Sequence, residues 1–322
     1  MLNEAAETLN ETVLSALREK NLDFTAELRP VFYKDDAGLT LPTKMFVPVR
    51  ADNGTVIADH TFTKVYHPIQ NRDAFKVIGE ISQVADIEFK NVGSWGNGAG
   101  VFAQIALGDD ISVGGTDDRV GRYLSVVNSH DGSRGCTILI TPYRFWCRNQ
   151  IAPAIKHADD GQLISIRHNA KAQDRLAELA QTIHVCDKVF RRSADLYDRL
   201  LNRKIGMDEV REVMARCLPF EPCEKTGEPS QYWHHLLTKM VDRFHSADNG
   251  HAEPMTAWNL YNAVQGTLQH ESRNGANKMQ SILLGGIASK SAKALRVVEG
   301  LTDGTFQFTE HKQFDIYFKE VA

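Results

Sequence analysis

The sequence predicts an α+β fold: a central antiparallel sheet flanked by helices, followed by a mainly helical C-terminal region. Three observations predict it. Between Ile87 and Ile140, β-branched and aromatic runs are separated by Gly/Asn/Asp-rich turns, the pattern of neighbouring antiparallel strands. Ahead of them, Phe75, Ile78, Ile81 and Val84 recur at threes behind Asn71–Arg72–Asp73, the pattern of a capped helix. Beyond them, from Ala172 to Leu201, apolar residues step by threes and fours.

The elements follow in order. Leu9, Val13 and Leu17 give residues 1–20 one apolar helical face that ends by Asn21. Lys44–Val49, beyond the Asp36–Gly38 turn, and Thr61–Tyr66 have the composition of short strands. After the helix opening at Asn71, Ile87–Val92, Gly100–Leu107, Tyr123–Asn128 and Cys136–Ile140 form a four-strand antiparallel sheet. A short helix is expected from Trp146 to about Lys156. The stripe Ala172, Leu176, Leu179, Ile183, Cys186, Phe190, Ala194, Tyr197 and Leu201 gives about 45 Å of helix at roughly 1.5 Å per residue. Such a helix leans on the sheet of its own chain or meets a second copy as a coiled coil, so a homo-oligomer through residues 172–201 is one of two readings. Gly206 breaks it, and Asp208–Cys217 forms a second helix. Leu218–Ser230, with Pro219, Pro222 and Pro229, is an exposed loop. Helices over Gln231–Ala247, Thr256–Glu271 and 290–299 and a strand over Phe314–Phe318 close the chain. The division is 1–169, an α/β region with the sheet, and 170–322, mainly helical; the two pack as one domain in the alternative reading.

Composition sets the class. The start MLNEAAETLNETV is acidic and polar where a secretory leader needs a basic start and an apolar run. No stretch approaches the roughly 18 apolar residues of a membrane span. Cys136, Cys147, Cys186, Cys217 and Cys223 are an odd set without close pairing, which favours a reduced, cytoplasmic protein. The net charge of −4 conceals an asymmetry: Arg119 to Arg175 holds nine Arg or Lys against four Asp. A basic zone in an acidic chain is suited to steering a polyanion, although a solvated face has the same composition.

Ser129, His130 and Asp131 have the residue types of a nucleophile, base and orienter, but strand neighbours point to opposite faces and do not converge. NSHDGS reads as a strand-end turn, with Asn128 and Asp131 bonding backbone amides and Gly132 at positive φ; its successive amides suit a phosphate. VGSWGNGAG matches neither the phosphate loop nor the dinucleotide pattern. Trp95 on that turn either packs in the core or stacks on a base. Arg144 and Arg148 share a face if Tyr143–Ile155 is helical, and Phe145 and Trp146 interleave rings with those charges. Charge that tracks phosphates beside rings that meet bases is what a single-strand groove needs. The competing reading buries the rings and leaves the arginines as a rim. The candidate nucleic-acid contacts are Trp95, Arg119, Arg122, Ser129, His130, Arg134, Arg144, Arg148 and Lys156. His234–His235, His270–Glu271 and Cys217/Cys223 lack metal-ligand spacing, so no metal, cofactor or catalytic residue is assigned. Trp258, Tyr261, Val264 and Leu268 form the stripe of a docking helix.

Tyr66-His67-Pro68-Ile69-Gln70-Asn71, the glycine-rich turn before Val101-Phe102, Asn128 to Ser133, and Thr141 to Asn149 together resemble the phage/plasmid-like family of domain of unknown function 932. Tyr261-Asn262-Ala263 with His270 is similar to its C-terminal signature, and the resemblance covers about residues 30–300. Trp146 and Arg148 depart from the smaller and amide side chains of the family pattern. The resemblance implies mobile-element ancestry and no assigned chemistry. A helix-backed sheet with a basic rim is also similar, at the level of fold alone, to single-strand annealing proteins. The expectation is a mobile-element-associated protein that binds or anneals single-stranded nucleic acid. The alternatives are a structural or protein-interaction module and an enzyme with an unrecognised site.

Overall fold

Asn128 and His130 sit on the face of a buried strand that meets a helix, and the elements around them explain why. The computed structural model describes residues 2–145, 149–150, 162–172, 183–246, 255–272 and 277–322. Its contacts divide into two units: Met1–Asp109 with Arg122–Ile140 and Asp159–Lys188, and Asp110–Gly121 with Thr141–Ala158 and Val189–Ala322.

In the first unit, α1 (Leu2–Glu19) buries Val13 and Leu17. It ends where Asn21 takes φ 55° and the Leu22 amide reaches back to the Leu17 carbonyl at 2.7 Å, the left-handed close that favours Gly or Asn. A hairpin follows, β1 (Ala26–Lys34) against β2 (Thr40–Arg50), with its register slipping between Pro30 and Phe32. Proline has no amide to give a ladder, so the irregularity falls beside it. Next, α2 (Asn71–Ser82) buries Ala74, Phe75, Val77, Ile78 and Ile81, as its apolar spacing requires. The strands β3 (Ile87–Trp95), β4 (Gly100–Leu107), β7 (Tyr123–Ser129), β8 (Cys136–Ile140) and β11 (Gln162–Ile166) make an antiparallel sheet in the order β11-β8-β7-β4-β3. Every residue of β7 and β8 is buried. Side chains alternate along β7, so Leu124, Val126, Asn128 and His130 share one face, and α2 packs on this strand and on β4.

The second unit holds a sheet of short strands in the order β10-β9-β6-β5: β5 (Ile111–Ser112), β6 (Arg119–Gly121), β9 (Tyr143–Arg144) and β10 (Asn149–Gln150). The helices are α3 (Ile183–Asn202), which begins in the first unit, then α4 (Met207–Cys217), α5 (Gln231–His245), α6 (Ala257–His270), α7 (Lys278–Leu283), α8 (Gly286–Thr302) and α9 (Lys312–Val321). Residues Ala257–Gln269 of α6 are all buried, so this helix is a core element rather than a surface one. Ser230 and Thr256 cap α5 and α6, accepting from the Trp233 and Asn259 amides at 3.1 and 3.2 Å. At the centre, the Asp118 carboxylate accepts from Arg144 Nε at 2.8 Å, Arg144 Nη2 at 2.7 Å and Trp258 Nε1 at 2.8 Å. Arg144 and Asp118 are both buried, and the guanidinium lies 5.4 Å from the Trp258 ring.

Four expectations need revision. Phe314–Phe318 belongs to helix α9, because Phe314 and Phe318 stack on one helical face with centroids 5.8 Å apart. Thr61–Tyr66 forms no strand and contributes one isolated bridge, Phe46 to Phe62. Tyr143–Arg144 is a strand paired with β6, not the start of a helix, and Asn149–Gln150, inside the helix expected from Trp146 to about Lys156, is strand β10; the rest of that stretch lies outside the described residues. The sheet has a fifth strand, β11, and β1 extends the Lys44–Val49 reading into a hairpin. Of the stripe beyond Ala172, the described part is α3, where Cys186, Phe190, Leu196, Tyr197 and Leu200 are buried. Cys136, Cys186 and Cys217 are buried and free, Cys223 is exposed and free, and Cys147 lies outside the described residues. No described helix is long and apolar enough to cross a membrane.

Removing the carboxylate at Asp118 leaves a guanidinium buried without its counter-charge. Asp118→Ala should therefore destabilise its unit by about 3–5 kcal/mol, read as a lowered urea midpoint. A midpoint within about 0.5 kcal/mol of the parent, the range of a neutral surface change, would refute this account of the ion pair.

Candidate nucleic-acid interface

The site of interest lies in the first unit, where the turn after β7 meets the chain around Tyr66 and His168. Asp131 Oδ1 accepts the Ser133 amide at 2.9 Å and Gly132 takes φ 71°, so the turn closes as an Asx turn and presents Ser133 and Arg134 to solvent. Asn128 has no part in that turn. Its Nδ2 donates to Ile69 O and to Asn71 Oδ1, both at 2.9 Å. Asn71 Nδ2 in turn donates to Leu22 O at 2.9 Å, so this residue ties α2 to the end of α1 instead of capping its helix. His130 Nε2 lies 3.0 Å from Asn71 Oδ1, an acceptor, and therefore carries the proton.

His168 continues the network. Its Nδ1 accepts the Ile69 amide at 2.9 Å, its carbonyl accepts the His67 amide at 3.1 Å, and Tyr66 Oη donates to the His130 carbonyl at 2.9 Å. Four rings then follow one another: His60 to Phe62 at 4.7 Å, Phe62 to Tyr66 at 4.2 Å, and Tyr66 to His168 at 5.2 Å and near parallel. Beside them opens a cleft of about 580 Å³ lined by Phe62, Tyr66, Ser133, Arg134, Arg167 and His168 among others, with no acidic side chain among the described residues of its lining. Tyr66 also borders a second cleft, of about 510 Å³, with Phe46 and Lys64.

Burial fixes the charge state of the inner groups. It pushes His130 down to about 3, with neighbouring His168 adding to the effect, and pushes His168 down to about 4. Both imidazoles are neutral at physiological pH. Burial, with the charge of Asp131, pushes the Tyr66 phenol up, so it remains a donor. The positive charge on the described lining therefore comes from Arg134 and Arg167.

The other expected contacts are dispersed. Trp95 is buried, parallel to Phe102 at 6.1 Å, and its ring covers Gly100 so closely that a Cβ there would lie 2.1 Å from it. Ser129 and His130 are buried, and Arg144 is held by Asp118, so none of these offers a side chain to an outside phosphate. Arg119 is exposed on β6 in the second unit, and Arg122 pairs with Asp187. Arg148, Lys156 and Trp146 lie outside the described residues. Of the seven candidates among the described residues, Arg134 alone lines the cleft. Phe62, Arg167 and His168 escape the sequence reading because the cleft joins distant stretches of chain, His168 being held to His67 and Ile69 from about a hundred residues away, which has no local signature. Among the described residues, no group of three or more His, Cys, Asp or Glu side chains is placed to hold a metal ion.

The molecule is thus an α+β protein with a ring-lined, arginine-flanked cleft beside its main sheet. It belongs to the family described as Domain of unknown function (DUF932), whose model matches residues 60–298. No curated protein and no solved structure matches the chain.

The two neutral histidines make stability depend on pH. Unfolded imidazoles titrate near 6.5, whereas the folded ones resist protonation to about 3 and about 4. Stability is therefore full above pH 6.5 and falls on acidification, by about 1.4 kcal/mol per pH unit for each histidine. His168→Asn, whose carboxamide oxygen can still accept the Ile69 amide, should remove about half of that slope. Urea midpoints from about pH 7 to about pH 4.5 measure it, and an unchanged slope in the variant would contradict the assignment.

Proposed function

We propose that this chain is a mobile-element-associated protein that binds or anneals single-stranded nucleic acid, and that the strand lies across the ring ladder of the first unit. The observation that carries this reading is the run His60–Phe62–Tyr66, backed by the buried His168, beside Arg134 and Arg167. Bases have flat faces whatever their identity, so rings bind a single strand without reading its sequence, while arginines follow its phosphates. The exposed Ser133 hydroxyl adds a donor for a phosphate oxygen. Tyr66, shared by the two clefts, is where the strand would pass from one to the other. The phage/plasmid resemblance supports a role in mobile-element biology and is neutral about mechanism.

Labelled oligothymidine titrated at low and at moderate salt tests this. Binding should weaken steeply as salt rises, and Arg134→Gln with Arg167→Gln should reduce the salt slope by roughly 1.4, about 0.7 for each lost phosphate contact. Phe62→Leu keeps the bulk and removes the ring face, and should cost about 1–3 kcal/mol of affinity if a base stacks there. Absence of binding at low salt, or affinity unchanged in the double arginine variant, would remove this surface from consideration and favour a protein-interaction role. Faster pairing of complementary strands by the parent chain than by the variant would select annealing over simple binding.

A further inference from the structure

We propose that the second unit carries a separate binding site for a nucleoside monophosphate, a small anion bearing a flat ring, in the cleft formed by α4, α8 and the start of α9. This proposal stands on different residues from the strand-binding reading and does not depend on it. The cleft measures about 960 Å³, within the range of small-ligand sites, and its lining includes Arg216, Phe220, Lys293, Glu310, Lys312 and Phe314.

The site is held rigid from behind by a buried carboxylate. Glu212 accepts from Arg216 Nε at 2.8 Å, from Thr309 Oγ1 at 2.6 Å and from the Thr309 amide at 3.2 Å, and lies 3.1 Å from His311 Nε2. Burial alone would raise its pKa, but these bonds outweigh burial and hold it to about 2, so it remains an anion. Arg216 also donates to the Gln307 carbonyl and lies over the Phe306 ring at 4.3 Å, and Arg211 bonds Asp315 in the first turn of α9 at 2.8 Å. The segment 306–315 is therefore fastened to α4 at several points, and it forms one wall of the cleft.

Its walls differ in chemistry. Phe220 is braced edge-on by Trp233 and in parallel by Tyr317, each at 5.7 Å, which fixes a half-buried ring on the lining. Lys293 and Lys312 are exposed on the same lining, with Glu310 3.4 Å from Lys312. Arg216 balances Glu212 and Glu310 offsets one lysine, which leaves a net positive charge next to an apolar ring. A phosphate suits the lysines as compact point charges, and a heterocycle suits Phe220. Glu310–Phe314 lies beyond the residues that match the family, so part of this site is contributed by the chain's own C-terminal segment.

Isothermal titration of the chain of residues 1–322 with adenosine 5′-monophosphate is the test. The expected result is saturable binding that weakens about tenfold or more in Lys293→Gln with Lys312→Gln, and about fivefold in Phe220→Leu. Adenosine and inorganic phosphate should each bind at least about tenfold more weakly than the nucleotide. Both lysines are exposed, so their variants should keep the parent's melting temperature and isolate the site from folding. The proposal is overturned by an absence of saturable binding at millimolar ligand, by adenosine binding as tightly as the nucleotide, or by affinity unchanged in the lysine variant. Loss of binding in the Arg134→Gln, Arg167→Gln variant, with the lysine variant unaffected, would move the nucleotide to the first unit and likewise overturn it.

Discussion

Strand β7 carries Asn128, and the first residue after it places His130, into the core on the face that meets α2, where neither has access to water. A buried polar atom left unbonded costs about 1–3 kcal/mol, so these side chains constrain everything around them. Asn71 faces both, donates to Leu22 O, and so ties the end of α1 to α2 and to the sheet. Asn128 holds Ile69 from the other side, and the Ile69 amide is taken by His168. Four separated stretches of chain, around residues 22, 66–71, 128–130 and 168, are thereby fixed in one place. The ring ladder is a product of that requirement: Tyr66 and His168 stack because their backbones are already held there. Loss of Asn71 would deprive three partners at once, which makes it a more sensitive position than any residue that touches the cleft directly.

The second unit meets the same requirement with full charges. Asp118 takes a two-pronged bond from Arg144 and a third from the Trp258 indole, and that indole comes from a helix buried along nearly its whole length. An ion pair of this kind contributes little net stability against an apolar replacement of the same volume, but it punishes any register other than the one that brings its members together. It defines which residue of α6 faces β6 and β9, a choice that an all-apolar helix would leave open.

The strands of the main sheet were legible because their ends are marked chemically. Gly100–Leu107 and Cys136–Ile140 are apolar runs bounded by turn residues, and the structure keeps both ranges. Ala26–Lys34 was not legible: Pro30 breaks it between the charged Glu27 and Arg29 and the apolar run that Lys34 ends, and it pairs only with its hairpin partner. The stretch from Phe314 to Phe318 fits two periods at once over five residues. Phe314, Ile316 and Phe318 suggest a strand, but Ile316 is exposed while Phe314 and Phe318 are buried four apart, which is the helical spacing. In the cleft, Arg134 could be read from its place on a polar turn. Arg144 could not be read as buried, since nothing in its neighbourhood announces that Asp118 and Trp258 will enclose it. Residue type gives the charge, and only the fold says whether solvent reaches it.

The Trp95 ring lying flat over Gly100 couples two positions that are paired across β3 and β4. No side chain, not even a methyl group, fits at position 100 while the indole stays, and a smaller residue at 95 would leave a void where the indole had been. Drift at either position alone is harmful, and drift at both is tolerable. In any set of related chains the two should change together or not at all, so this pair is a place where sequence comparison would report a three-dimensional contact rather than a function.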